Sequence, residues 1–244
     1  MATPDTARQI AAMGSELGPA VLDQCKQLFD AQQSHRALAL PPIATDLAYG
    51  PHVRHRLDLY AEPGGARRPV LVFVHGGGFL KGDKGGGTAW SNAAVGRMAA
   101  ARGWLGVVIN YRLAPDDMWP AGAEDVAAVV DWVRAHADEY GADPARIILC
   151  GTSAGAVHVA GYLKLRPGHY NDVCGAVLLS GLYGYTPLDD RDTLYFGPQS
   201  DYATRMPMDA LVETGLPLLI ACAQHDPPRF QAEFLGLMHA RLAR

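Results

Sequence analysis

A serine between small residues, Gly151-Thr152-Ser153-Ala154-Gly155, follows the apolar run 146–151 and precedes a helical stretch. A nucleophile elbow has this setting. A sharp strand-to-helix turn exposes the hydroxyl, and glycines two residues to either side let strand and helix approach where larger side chains would clash. Earlier in the chain, His75-Gly76-Gly77-Gly78-Phe79 ends another apolar run. Consecutive glycines there can turn backbone N–H groups toward a developing oxyanion. With the N–H of Ala154, just after the serine, Gly77 and Gly78 would complete an oxyanion hole. A phosphate-binding loop is the competing reading, but there is no Gly-Lys-Ser/Thr ending and no G-x-G-x-x-G after a strand.

A serine nucleophile needs a base, and the base needs an acid to orient it. Asp226 follows the apolar run 216–223, at the carboxyl end of a strand, where open α/β sheets place their sites. It also comes after Ser153, the chain order of the elbow type. Asp189, Asp190, Asp192, Asp201 and Asp209 read instead as solvated charges. The same order calls for a histidine beyond Asp226, and only His239 is there. It sits on a helical stretch with Phe230, Phe234, Leu237, Met238 and Leu242 on its apolar face, and points about 180° away from Phe230. His158 lies about 7.5 Å along a helix starting near Ala154 and about 140° around it, so it should point into helix packing. His225 adjoins Asp226 and is read as lining the site. His169 lies in a Pro-Gly turn and His136 on a flanking helix, while His35, His52 and His55 precede the core. None of the nine histidines is therefore expected to be the base.

The elements that must position these groups follow from apolar patterning. Residues 69–74, 105–111, 146–151, 175–181 and 216–223 are apolar almost throughout, as strands buried on both faces are. An alternating stretch over 52–61 predicts an earlier strand ending in the Pro63-Gly64-Gly65 turn. Helical patterns at 91–103, 121–141 and 154–165 lie between the buried runs, and another covers 19–31. The alternation predicts a doubly wound, mostly parallel α/β domain with helices on both faces. Residues 182–215, rich in Asp, Tyr, Pro and Gly, interrupt it as a long excursion, and loops of that length are usually functional. The expected organisation is an N-terminal helical segment over 1–45 and an α/β domain over 46–244. Residues 182–215, with the N-terminal helix, are expected to form a small cap or lid.

Composition narrows the partners. A net charge of −4 and pI near 6.1 offer no basic stripe for nucleic acid. No apolar run is long enough to span a bilayer, and the first residues lack a signal-peptide pattern. Cys25, Cys150, Cys174 and Cys222 have no metal-ligand spacing, and the last three lie in strand-like runs. They read as buried free thiols, which suits a cytoplasmic location.

Together "HGGGFLKGD" (75–83), "NYRLAPDDMWPAGAED" (110–125), "DPARIILCGTSAG" (143–155) and "HDPP" (225–228) resemble the hormone-sensitive-lipase-like family of α/β-hydrolase esterases. The resemblance runs from about Leu57 to the C-terminus, with motifs in family order. It implies Ser153 as nucleophile, Asp226 as triad acid, and Gly77, Gly78 and Ala154 as the oxyanion hole. His75 would support the loop and, with Phe79 and Tyr183, line the substrate side. No metal or organic cofactor is implied. The family pattern has a further strand, a His-bearing loop and a closing helix beyond Asp226. The chain is expected to lack all three, as a fragment or a natural truncation, leaving a sheet edge and an apolar face uncovered. The implied partner is a small-molecule ester hydrolysed by a serine carboxylesterase, with a homodimer as the oligomeric alternative. An amidase or arylformamidase on the same fold, with Tyr183, Tyr185, Tyr195 and Phe196 meeting an aromatic substrate, is the nearest alternative. A ligand-binding module without turnover is the more distant one.

Overall fold

The predicted apolar runs become strands of one seven-stranded sheet in the computed structural model, which describes residues 4–16, 18–65, 67–85 and 92–244. β3 (Arg68–Val74), β4 (Leu105–Ile109), β5 (Ala142–Thr152), β6 (Gly175–Leu179) and β7 (Leu218–Ala221) correspond to the five runs, and β2 (Arg56–Tyr60) to the alternating stretch. The strand order is β1-β2-β4-β3-β5-β6-β7. β1 (Ala44–Ala48) is not evident from its own residues and owes its form to antiparallel pairing with β2. β2 also runs antiparallel to β4, whereas β4, β3, β5, β6 and β7 are mutually parallel.

Side-chain alternation along each parallel strand feeds two cores. Val70, Val72 and Val74 of β3 pack with α4 (Ala121–His136) and α5 (Ala154–Leu165) on one face. Leu71 and Phe73 pack toward α3 (Ala93–Ala100) on the other. The helical run predicted from residue 91 is described from Asn92 onward. Every residue of α5 from Ala154 to Leu163 is buried, because α5 is enclosed by the sheet, α4 and α8 (Met208–Glu213).

At the N-terminus, α1 (Pro4–Ala12) is an addition to the expected elements, and α2 (Pro19–Ala39) extends well past residue 31. Neither buries a residue. The end of α2 rests on α3, where Arg97 Nε donates to Leu40 O at 3.2 Å. The excursion contains α6 (Asp190–Phe196), α7 (Tyr202–Arg205) and α8. Among the described residues nothing pairs with the outer edge of β7, and Leu219, in register with Val177 of the α3-side core, is 55% exposed.

The last helix, α9 (Pro228–Leu242), packs through Glu233, Gly236 and Leu237 rather than through the full predicted stripe, and Leu242 is exposed. Glu233 is fully buried, and its carboxylate accepts from the N–H groups of Tyr183 at 2.9 Å, Tyr185 at 3.2 Å and Thr186 at 2.6 Å. The Thr186 hydroxyl adds a fourth bond at 2.7 Å. One turn earlier, Arg229 reaches Asp189 at 2.9 Å and Asp192 at 2.6 Å. Asp192 is thus a buried ion-pair partner and not a solvated charge. The helix after the candidate acid therefore clamps the start of the excursion. Removing the carboxylate would leave three backbone donors without acceptors. Glu233→Ala is expected to destabilise the fold by about 2–4 kcal/mol, read as a lowered urea midpoint. An unchanged midpoint would mean that these N–H groups find water instead.

Candidate active site

Because β3, β5, β6 and β7 are adjacent and parallel, their carboxyl ends lie along one edge of the sheet. That edge carries the His75–Phe79 loop after β3, Ser153 after β5, Ser180 after β6 and Asp226 after β7.

Ser153 occupies the turn between β5 and α5 with φ 52° and ψ −124°. Holding an L-residue in such a positive-φ conformation costs on the order of 1–3 kcal/mol. The neighbours show what enforces it. A Cβ on Gly151 would lie 2.4 Å from Gly155 O, and one on Gly155 would lie 2.1 Å from Val74 O. Helix α5 is thereby pressed against the end of β3, and the Ser153 N–H is fixed to Leu179 O at 2.8 Å. The Ser153 hydroxyl makes no hydrogen bond among the described residues.

The glycine loop meets this turn directly, since a Cβ on Gly76 would stand 3.1 Å from Ser153 Cβ. Gly77 has φ 141°, and a Cβ there would fall 1.8 Å from Lys81 O, so only glycine fits. The N–H groups of Gly77, Gly78 and Ala154 donate to no acceptor among the described residues. For Ala154, the first residue of α5, this is the ordinary state of a helix N-terminus.

Groups both within and beyond the quoted motifs hold the loop. Arg54 donates to Tyr111 O at 2.7 Å and to Gly82 O at 2.8 Å. Asn110 bridges Asp83, donating to its Oδ2 at 2.8 Å, and Lys84, whose N–H reaches Asn110 Oδ1 at 2.6 Å. Buried Lys84 also pairs with Asp46 at 2.8 Å and Asp58 at 3.0 Å, tying the loop to β1 and β2. Arg54 carries no recognisable motif signal, because its role depends on contacts distant in sequence.

Asp226 Oδ2 accepts from the Ser180 hydroxyl at 2.6 Å, the Ala223 N–H at 2.8 Å and the Cys222 thiol at 3.2 Å. One carboxylate oxygen is thus saturated, while Oδ1 has no partner among the described residues. Ser180, at φ 52°, belongs to no motif in the sequence. Its position at the end of β6, between the ends of β5 and β7, was the available signal. Of the four thiols read as buried, Cys150 is buried, Cys25 and Cys222 are half-buried and Cys174 is exposed.

His75, Phe79 and Tyr183, the expected substrate-side residues, lie in the interior at 0%, 4% and 1% exposure. His75 stacks on Tyr111, and its Nδ1 bonds Gly76 O at 2.7 Å. Phe79 stacks on Tyr195 of α6, bringing part of the excursion down onto the loop. Tyr185 is exposed, while Tyr195 and Phe196 are buried. His158 is fully buried, 3.2 Å from Tyr195 Oη through Nδ1. His239 is exposed on α9. Among the described residues no histidine hydrogen-bonds Asp226 or Ser153.

Burial pushes the His75 imidazole down to about 4, and burial with the neighbouring His75 pushes His158 down to about 3. Both are neutral at ordinary pH, and neither faces the carboxylate that a base requires. As pH falls below the ordinary histidine range, the unfolded chain takes up protons that the folded chain refuses, so stability falls with pH. His158→Gln is expected to make that fall shallower by about 1.4 kcal/mol per pH unit between roughly pH 5.5 and 4. Denaturant unfolding at several pH values measures it, and an unchanged slope would mean that folded His158 protonates freely. The strain at Ser153 yields a second expectation. Ser153→Gly should stabilise the chain by about 1 kcal/mol, the relieved strain exceeding the added freedom of the unfolded glycine. Calorimetry showing a lower Tm would remove the strain assignment.

The strand order, the elbow and the edge arrangement define an α/β hydrolase. The family model described as BD-FAE matches residues 57–170. Esterase LipC of Mycobacterium tuberculosis is 31% identical over 173 residues, covering 63% of this chain and 42% of that protein. Carboxylesterase NlhH of the same species is 32% identical over 191 residues, 66% of this chain and 57% of that one. Among solved structures, a hyperthermophilic esterase from the archaeon Pyrobaculum calidifontis superposes with TM-score 0.69 at 25% identity, over 99% of this chain and 86% of that chain. Esterase Est22 superposes with TM-score 0.72 at 22% identity, over 97% and 79%. The chain has the fold of the α/β hydrolases and is similar to these esterases, in line with its resemblance to the hormone-sensitive-lipase-like family. It spans about half the length, or less, of these mycobacterial relatives.

Proposed function

We propose that the chain carries the acylation machinery of a serine carboxylesterase acting on small to medium acyl esters. The observation that carries this reading is the contact between the Ser153 elbow and Gly76 of the glycine loop, with the N–H groups of Gly77, Gly78 and Ala154 uncommitted among the described residues. Ser153 attacks the ester carbonyl, and the N–H groups of Gly77, Gly78 and Ala154 hold the oxyanion of the tetrahedral intermediate. The alcohol leaves with a proton, and water then cleaves the acyl-enzyme to free acid and serine. Asp226, with Oδ1 open beside the same edge, is suited to orient an imidazole. No described residue fills the base role. The excursion acts as a lid, α6 lying over the loop through Tyr195 and Phe79. The named activities of LipC and NlhH, esterase and carboxylesterase, support the reaction class. No helix among the described residues is long and apolar enough to cross a membrane.

The absence of a histidine bonded to Asp226 among the described residues favours one other reading, ligand binding without turnover. One experiment separates the two. The chain is expected to hydrolyse p-nitrophenyl butyrate slowly and to accelerate on the order of tenfold or more in excess imidazole, which supplies the base. Ser153→Ala should abolish both the basal and the rescued rate, a loss of roughly a thousandfold where measurable. Full turnover without imidazole would show that a histidine of this chain acts as base. Saturable ester binding with no Ser153-dependent reaction would favour the ligand-binding reading.

A further inference from the structure

Arg191, in the first turn of α6, borders the same loop. The position that a Gly78 Cβ would take is 3.8 Å from Arg191 Cδ and Nε and 3.9 Å from Nη1. Gly76, two residues earlier, abuts Ser153, so the loop has the candidate nucleophile on one flank and a guanidinium on the other. The Arg191 side chain is 54% exposed, and its nearest carboxylate is Asp189 at 3.6 Å, too far for a direct hydrogen bond.

Two of the surrounding acids have closer partners than Arg191. Asp189 is held by Arg229 at 2.9 Å, and it caps α6 by accepting from the Asp192 N–H at 3.1 Å. Asp192 also binds Arg229, at 2.6 Å. Asp190 is exposed and makes no ion pair among the described residues. Arg229 binds both Asp189 and Asp192, and Arg191 pairs with Asp189 at 3.6 Å without a direct hydrogen bond, so its forked donors remain open beside Gly78.

We propose that Arg191 is a specificity-determining residue that selects esters whose acyl part carries a carboxylate, the half-esters of dicarboxylic acids. With the ester carbonyl at the Gly77 and Gly78 N–H groups, a carboxylate a few bonds further along the acyl chain meets the guanidinium, whose planar fork matches it in two parallel hydrogen bonds. A neutral acyl chain of equal length gains nothing there. This selectivity rests on the hydrolytic site proposed above, but it is expressed in binding and does not require turnover.

The test compares monomethyl glutarate with methyl pentanoate, which match in length and differ in the terminal carboxylate. Binding is measured by titration calorimetry on the full chain carrying Ser153→Ala, so that neither ester is consumed. The half-ester is expected to bind about tenfold more tightly at low salt. Adding Arg191→Gln should abolish the preference and leave methyl pentanoate affinity unchanged, whereas Arg191→Lys should retain part of it. Equal affinities with Arg191 present, a preference that survives Arg191→Gln, or no binding of either ester overturns the proposal. The p-nitrophenyl butyrate assay stays independent. Turnover without half-ester preference removes Arg191 and keeps the hydrolase, while preference without turnover does the reverse.

Discussion

How closely α5 can approach the end of β3 governs everything at the carboxyl edge of the sheet. Gly155 has no side chain because Val74 O occupies the space, and Gly151 has none because the backbone at Gly155 and Ala156 does. With both contacts made, the chain between β5 and α5 must turn within a residue, and Ser153 takes the positive φ that results. The strain is therefore a consequence of packing rather than a local choice. It is held by one of the most thoroughly buried helices of the fold, which is what over-determines a disfavoured conformation. The same approach sets Ser153 against Gly76.

A second layer of interactions keeps that loop in place. Hydrogen bonds from Arg54 to Gly82 O and from Asn110 to Asp83, with the buried pairing of Lys84 with Asp46 and Asp58, connect the loop to β1, β2 and β4. These strands come from the antiparallel side of the sheet, so the part of the fold most remote from Asp226 is also what stiffens the proposed oxyanion hole. On the opposite side, Glu233 and Arg229 of α9 bind the beginning of the excursion. Through α6, that clamp brings Tyr195 onto Phe79 and Arg191 alongside Gly78. The geometry around Ser153 is thus supported from both ends of the sheet, by polar networks whose members are far apart in the chain.

The histidines show how burial assigns roles. His75 and His158 are near the glycine loop, yet enclosure among Tyr111, Phe79 and Tyr195 keeps both neutral and turns them into packing residues. A base must reach both the hydroxyl and a carboxylate, and enclosed rings without an acid beside them cannot. Asp226 meanwhile has one oxygen saturated by Ser180, Ala223 and Cys222, and the other without a partner among the described residues.

Much of this was legible in the residues. Five apolar runs gave five parallel strands, because strands covered on both faces need no polar alternation. The glycine spacing around Ser153 and after His75 reported close backbone approaches, since glycine is the residue such contacts require. The burial of His158 followed from helical geometry alone. β1 was not legible, because its five residues become a strand only when β2 offers a partner. The buried state of Asp192 and Glu233 was hidden for a related reason: a carboxylate reads as solvated until the arginine or N–H groups that satisfy it are brought alongside. Ser180 and Arg191 likewise gain meaning only from neighbours 46 and 113 residues away in the chain, Asp226 and Gly78. Sequence alone determined which backbone segments could be strands, turns or a strained elbow, because those depend on local sterics and periodicity. Tertiary structure decided which charges meet, since pairing energies depend on distances that no local pattern encodes.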